Sequence, residues 1–351
     1  MTQEHIRLTF KGGGWVLVMT AIVLSGFIAW AIAPAIFRLS EHVVGDGRTV
    51  ESYKFDLSNL ALEPETIIPV MQHRNMSPVM HSPEVFTLEE IEARNAVQRD
   101  PYLISDDLVV GITIEGQSRA YPLHVLHVHE IINDVLGETP IAVTWHWPSG
   151  HVAVYSRSVL GGEMQFANSG LAGNGGLLIY NKVEEVGGEQ LFSTLLGASI
   201  SGSNVELQSV PHDVTSWETW STMQPDTSVI AANDQYKKRY RKGDPKMYFL
   251  TDTIYYPSNP MPQDGTDPKT LVIALPTTGG HLVYSIPALL EVADNDGYVH
   301  LTIDARPVTI TVSKSPLSAI VRDASGNVVP SQRALWFAWY GNHPNDKITR
   351  P

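Results

Sequence analysis

A long apolar segment near the N-terminus limits how this chain can be arranged. No charged residue lies between Lys11 and Arg38, and the 23 residues from Trp15 to Phe37 are almost all apolar. A helix of that length rises by about 1.5 Å per residue and spans about 34 Å, which is enough to cross the hydrocarbon core of a membrane. The sequence therefore predicts one transmembrane helix over residues 15–37.

The alternative is a cleaved signal peptide, whose apolar region is usually only about 7–15 residues long. The small residues Ala31-Ile32-Ala33 could form a cleavage site, but Pro34 would follow the cut, which is unfavourable. We therefore favour an uncleaved anchor that holds the protein in the lipid bilayer.

The charges that flank this segment give only a slight bias in orientation. Arg7 and Lys11 precede it and Arg38 follows it. A short N-terminus ahead of a large soluble part also favours a cytoplasmic N-terminus. We predict that residues 1–14 are cytoplasmic and that the soluble part lies in the periplasm or outside the cell.

The composition excludes several classes of function. With 24 Lys+Arg against 37 Asp+Glu the net charge is −13, which argues against a nucleic-acid partner because phosphate binding needs clustered cations. The chain has no cysteine, so disulfides, thiol nucleophiles, iron–sulfur clusters and thiolate metal sites are excluded. A metal ion would have to be held by His, Met, carboxylate or backbone oxygen atoms.

The soluble part is predicted to have a mixed α+β fold that is rich in strands. After an approach segment over residues 38–82, short strands alternate with glycine-containing turns. We predict two related lobes, residues 83–236 and 237–351, each beginning with a hairpin and a short helix. The basis is a weak internal repeat, in which a shift of 163 positions aligns Leu108 with Leu271, Val109 with Val272, Gly116 with Gly279, Tyr121 with Tyr284 and Leu126 with Leu289.

Two motifs in the first lobe resemble a known domain family. The runs Arg119-Ala120-Tyr121-Pro122-Leu123 and His129-Glu130-Ile131-Ile132-Asn133-Asp134 resemble the signature of a prokaryotic domain of unknown function, number 3179. The resemblance extends over about residues 83–343 and includes Ser169-Gly170-Leu171, Trp217-Glu218-Thr219-Trp220 and Trp336-Phe337-Ala338-Trp339. The resemblance identifies the domain but implies no reaction for this chain, because the family has no established activity.

One departure from the family pattern bears on chemistry. Members usually carry Cys-Pro-Leu-Cys after a Val-Thr-Tyr strand, whereas this chain has His146-Trp147-Pro148-Ser149. The resemblance thus implies that His146 stands at the first cysteine position and Ser149 at the second. Any metal or redox chemistry of that pair would be changed or lost here.

Three histidines around the first motif are candidate metal ligands. His124, His127 and His129 have spacings typical of ligands on one element. On a helix His124 and His127 share a face and His129 points away, whereas on a strand His127 and His129 share one. Histidines that are buried in the core and hydrogen-bonded to the backbone would show the same spacing. The adjacent Glu130 and Asp134 are candidate general bases or hydrogen-bond partners of ligands, or else belong to a solvated helix face.

A second pair of candidate ligands, His146 and His151, flanks a short turn. If the turn joins two strands, the two imidazoles come together, and His129 would be the natural third ligand. Three histidines suit copper, with zinc as the alternative. The alternative is that His146 and His151 are surface histidines of a loop, next to packed aromatic residues, and bind no metal.

A third candidate lies in the approach segment, where Met71, His73, Met76, Met80 and His81 occur within eleven residues. Thioethers and imidazoles together favour Cu(I). Methionines that pack a loop onto the lobe are the alternative explanation.

The sequence as a whole favours a single-pass, membrane-anchored, extracytoplasmic accessory subunit of a larger membrane complex. We expect this subunit to be non-catalytic, and copper is its candidate ligand. Other membrane protein subunits and the lipid bilayer are the expected partners. The alternative is a copper- or zinc-dependent enzyme or copper chaperone that uses the histidine cluster. Hydrolase and phosphate-binding motifs, such as Gly-x-Ser-x-Gly and His-Glu-x-x-His, are absent from the sequence.

Overall fold

The computed structural model describes residues 14–39, 43–97, 101–183, 188–242 and 245–351. It divides the chain into two compact units, of which the first ends at Val44 and the second runs from Gly45 to Pro351. Most of the predicted cytoplasmic segment, residues 1–13, lies outside the described residues.

The first unit contains one helix, α1 (Gly14–Leu39). Its window Gly14–Ile32 has a mean hydropathy of 2.2, and none of that window is buried inside the protein. The predicted apolar helix is confirmed as a helix that is long and apolar enough to cross a membrane. A signal sequence has the same properties.

The second unit combines short helices with several β-sheets. Its α-helices are α2 (Leu88–Val97), α3 (Leu123–His129), α4 (Trp217–Met223), α5 (Lys237–Lys242), α6 (Lys246–Phe249), α7 (Ile286–Val292) and α8 (Trp336–Asn342). The strands up to residue 181 are β1 (Ile67–Pro69), β2 (Met80–His81), β3 (Val85–Phe86), β4 (Leu108–Ile114), β5 (Gln117–Pro122), β6 (Ile131–Leu136), β7 (Thr139–His146), β8 (His151–Ser156), β9 (Ser158–Val159), β10 (Gly162–Glu163), β11 (Phe166–Gly173) and β12 (Gly176–Asn181). The later strands are β13 (Leu191–Ser193), β14 (Ala198–Ser199), β15 (Asp213–Ser216), β16 (Ser228–Ile230), β17 (Leu271–Thr277), β18 (Gly280–Ser285), β19 (Tyr298–Ile303), β20 (Arg306–Lys314), β21 (Leu317–Asp323), β22 (Gln332–Leu335) and β23 (Ile348–Thr349).

Four larger sheets organise this unit. The strand order is β2-β6-β7-β8-β22-β17-β18-β23 in the central sheet, β1-β11-β12-β13-β14 and β15-β4-β5-β16-β3 in two five-stranded sheets, and β19-β20-β21 in a meander. The predicted strand-rich α+β class is confirmed.

The predicted repeat is visible as repeated structure. Strands β4 and β5 and helix α3 recur as β17, β18 and α7, and each element is displaced by the same 163 positions. Alternating apolar residues and a tight turn give both copies the same hairpin. The weak sequence repeat therefore marks a duplicated hairpin–helix module.

The duplication extends to elements that the repeat did not reveal. Strand β15 pairs antiparallel with β4 so that Ser216 lies opposite Leu108, and β22 pairs with β17 so that Leu335 lies opposite Leu271. Helices α4 and α8 follow these strands and bury Trp220 and Trp339. Strands β16 and β23, which pair parallel with β5 and β18, complete the two copies.

The strands of the first copy form the sheet β15-β4-β5-β16-β3, whereas those of the second copy belong to the central sheet and extend it beyond β8. Strand β22 pairs with β17 on one side and with β8 on the other, opposite Val152. Residues of the predicted approach segment also belong to this unit from Gly45 onward. Tyr53 is fully buried there, and Arg74 forms a buried 2.8 Å ion pair with Glu189. The central sheet thus brings residues from distant parts of the chain to one face near the β7–β8 turn.

Candidate functional site

The hairpin of β7 and β8 places His146 directly opposite His151. A 3-10 turn, Trp147–Ser149, connects the strands and ends at Gly150, whose φ of +62° is the left-handed conformation that glycine adopts without strain. The predicted pairing of the two histidines across a tight turn is therefore present in the structure.

Both imidazoles are buried and hydrogen-bonded within the protein. His146 Nδ1 lies 2.8 Å from Ser149 Oγ, and His151 Nε2 donates to Gln332 Oε1 at 3.0 Å. Burial lowers the pKa of His146 to about 3, with a further contribution from His151, and burial lowers the pKa of His151 to about 4. The two rings are thus neutral at physiological pH, which is the form that can bind a metal.

Glu130 lies next to this hairpin, immediately after α3. Its carboxylate is buried and accepts a hydrogen bond from Asn168 Nδ2, and burial raises the pKa of Glu130 to about 7. The amide of Asn168 is oriented because its Oδ1 accepts a bond from the Gly170 N–H at 2.8 Å. A carboxyl group that titrates near neutrality is suited to proton transfer.

The backbone of Glu130 is held in an uncommon conformation. Its φ is +56°, which non-glycine residues rarely adopt. Its N–H donates to Leu126 O at 2.6 Å, and its carbonyl accepts from Trp145 N at 2.9 Å. These bonds, from helix α3 on one side and strand β7 on the other, fix where the carboxylate points. The alternative of a solvated helix face was wrong for Glu130, and also for Asp134, which is buried against Arg119 at 2.7 Å.

Three tyrosines from the segment after α5, which we call the tyrosine strap (Tyr248, Tyr255 and Tyr256), cover the turn. Tyr256 stacks on His146 with 6.2 Å between ring centroids and 20° between planes. Tyr248 donates from its hydroxyl to Pro148 O at 2.7 Å, and Tyr255 lies edge-on to Trp147. Burial, together with the charge of Glu130, raises the pKa of Tyr256. The strap therefore covers His146 and the turn that follows it.

His129 makes a different set of contacts. Its Nδ1 donates to the Pro78 carbonyl, so its Nε2 accepts from the Tyr240 hydroxyl at 2.6 Å. Burial lowers the pKa of His129. Both ring nitrogens are therefore engaged by partners that His146 and His151 do not share.

The other two histidines of the first motif also lie apart. His124 packs edge-on against Tyr102, with 5.6 Å between ring centroids, whereas His127 packs against Trp147, also at 5.6 Å. Within the part of the chain that the structure describes, no three His, Asp or Glu side chains are placed to hold a metal ion. Copper and zinc binding therefore stay predictions.

The end of the Met/His segment lies in strand β2. Met80 and His81 are adjacent in that strand, so their side chains point to opposite faces. Met80 packs against the core cluster of the first lobe, while His81 Nδ1 accepts from Gln165 Nε2 at 3.1 Å. These two candidate ligands point away from each other.

The start of the same segment packs through its backbone. The Met71 carbonyl accepts a bond from the Tyr53 hydroxyl, and His73 Nδ1 donates to the Arg74 carbonyl at 2.7 Å. Met76 is exposed. The structure therefore does not gather the five predicted Met and His ligands around one point.

Comparison with known proteins places the domain in a family. A family model described as a protein of unknown function, DUF3179, matches residues 77–346. This chain belongs to the DUF3179 family. The matched region of this DUF3179 protein runs from β2 to α8 and contains the β7–β8 hairpin, Glu130 and both hairpin–helix pairs, β4-β5-α3 and β17-β18-α7. No similar protein was found among the curated proteins, and no similar fold among the solved structures.

Several residues of the DUF3179 site were not predicted from the sequence. Asn168, Tyr256 and Gln332 contact Glu130 or a histidine, but each lies far along the chain from its partner. Asn168 directly precedes the family motif Ser169-Gly170-Leu171, which was the available signal. Nothing in the sequence marked Tyr256 or Gln332, because neither belongs to a recognisable motif.

Proposed function

We propose that this DUF3179 protein is a single-pass, membrane-anchored accessory subunit whose domain lies outside the cytoplasm. The observation that carries the proposal is helix α1, whose window Gly14–Ile32 is apolar and is not buried inside the protein. A helix of this kind needs lipid or partner helices to cover it. Trp15, Phe27 and Trp30 are among its exposed side chains.

A non-catalytic role is supported by how the polar site is built. Glu130, His146 and His151 each have a protein hydrogen-bond partner, and the tyrosine strap covers the hairpin. A buried polar network with satisfied partners gives a domain one rigid arrangement. Such a domain can present a fixed surface to other subunits, and the charge of −13 favours protein partners over nucleic acid.

A tagged full-length chain, purified from gently solubilised membranes, tests this proposal. We expect other membrane proteins to be recovered with it in constant proportion, and we expect a tagged chain that starts at Gly45 to lose some or all of them. Recovery of the tagged chain alone from native membranes would contradict the proposal.

A second candidate is a copper or zinc centre at the β7–β8 hairpin, in an enzyme or a copper chaperone. It is supported by two neutral, buried imidazoles paired across one turn, with Ser149 against His146. In the family pattern these two positions, His146 and Ser149, would be the cysteine pair. The Met71–His81 segment is a further candidate for Cu(I).

Elemental analysis of the purified protein tests the metal site. A centre that uses His146 and His151 predicts about one ion per chain, lost in His146→Ala and His151→Ala. His300→Ala is the matched control, since His300 is exposed on β19. Absence of stoichiometric metal, or equal metal content in all variants, would rule out the centre.

A further inference from the structure

We propose that a cleft beside helix α3 binds a small zwitterion that carries an aromatic ring, such as a free aromatic amino acid. The cleft has a volume of about 390 Å³, and its partly buried wall includes Tyr102, His124 and Tyr240. Cavities of about 300–1,000 Å³ with aromatic walls and a few polar groups are typical small-molecule sites.

The wall offers ring surfaces that are already held in place. His124 lies edge-on to Tyr102 at 79° and to Tyr240 at 81°. The Tyr102 hydroxyl donates to Ile230 O at 2.6 Å, and the Tyr240 hydroxyl is hydrogen-bonded to His129. Because the hydroxyls are used by the protein, the rings present faces and edges that favour an aromatic partner.

His124 supplies a polar group at this wall. Burial lowers its pKa, so the ring is neutral and offers one donor and one acceptor. Among the residues that the structure describes, none forms a hydrogen bond with its ring nitrogens. A polar ligand in the cleft would meet this donor and this acceptor.

Charges of both signs stand at the opening. Asp234 and Lys237 line the cleft and are exposed, three residues apart at the junction of a 3-10 turn and α5. Within the described part of the chain, neither side chain is engaged in an ion pair. Glu84, Arg94 and Asp107 also line the cleft, so its lining carries charges of both signs. A ligand ammonium would meet Asp234 and a ligand carboxylate would meet Lys237, and a zwitterion matches this mixed lining better than a simple cation or anion does.

Calorimetry on the full-length protein in detergent tests the ligand class, with L-phenylalanine as the probe. Phenethylamine lacks its carboxylate, 3-phenylpropionate lacks its ammonium, and glycine lacks its ring. We expect L-phenylalanine to bind and each comparison compound to bind about tenfold more weakly or not at all, because each loses one charged hydrogen bond or the ring contact. No binding of L-phenylalanine, or equal binding of any comparison compound, overturns the proposal.

Substitutions test the location. Lys237→Gln and His124→Gln are expected to weaken L-phenylalanine binding about tenfold. Lys238→Gln is the matched control, because this exposed neighbour does not line the cleft. Thermal unfolding of each variant shows whether it is folded, and Lys237→Gln, at an exposed position, keeps the test informative if His124→Gln is unstable. Equal affinity of Lys237→Gln and Lys238→Gln would place the ligand elsewhere and overturn the proposal.

Discussion

A chain that starts at Gly45 is expected to move from the membrane fraction to the soluble fraction, while the full-length chain stays with the membranes after an alkaline wash. Insertion of a transmembrane helix is effectively irreversible under such conditions, whereas the remaining unit has no comparable helix among its described residues. Residues from Gly45 onward form their own compact unit, so the shortened chain should keep its fold. Fractionation followed by immunoblotting measures this change.

The intact mass of the membrane-bound protein provides the control for cleavage. An anchor predicts a chain of 38.7 kDa that still contains α1. A mature protein that has lost the segment would identify a signal sequence and contradict the anchor. Equal retention of the shortened and full-length chains in the membrane would show instead that another part of the protein binds the bilayer.

The second large effect that we expect is a change in the pH dependence of folding stability when Glu130 is replaced. Its pKa is raised from 4.5 to about 7 by burial, so the folded state holds the proton more tightly than the unfolded state does. The stability from this group is fully present below pH 4.5 and is lost as the pH rises through 7, by about 3 kcal/mol. Glu130→Gln keeps an oxygen that can accept from Asn168 and removes this loss, so the variant should be more stable than the natural protein at pH 8.

Denaturant unfolding at pH 5 and pH 8 measures the Glu130 effect on the chain that starts at Gly45. The lowered pKa values of His146 and His151 act in the opposite direction, because stability is lost as the pH falls below 6.5. Both histidines are present in the variant, so the difference between the two proteins isolates Glu130. The exposed acid Glu206, replaced by Gln, is the matched control. An identical pH dependence in the natural protein and Glu130→Gln would contradict the burial of a titrating carboxylate.

The sequence predicted the parts of the fold that depend on local pattern. Alternation and turn residues gave the hairpin of Leu108–Ile114 with its partner strand, and the 163-residue shift gave its second copy at Leu271–Thr277. The tight turn after His146 likewise brings His151 opposite it. These features need only neighbouring residues, which a single sequence shows directly.

The remaining features depend on contacts between distant residues. Gln332 meets His151 across 181 positions, because β22 inserts between β8 and β17. The sequence also offered His129 as a third ligand beside His146 and His151, but it could not show that Pro78 and Tyr240 hydrogen-bond to both of the His129 ring nitrogens. The hydrogen-bond partners of His129 and His151 lie far from them along the chain. Contacts of this kind leave no periodic pattern of residues that could be recognised in the sequence.

Native mass spectrometry of the full-length protein, released from membranes in a mild detergent, tests the central claim most directly. The account predicts a particle that contains this 38.7 kDa chain together with other membrane protein chains in fixed stoichiometry. A particle with the mass of one chain alone, or of copies of this chain only, would contradict its role as an accessory subunit.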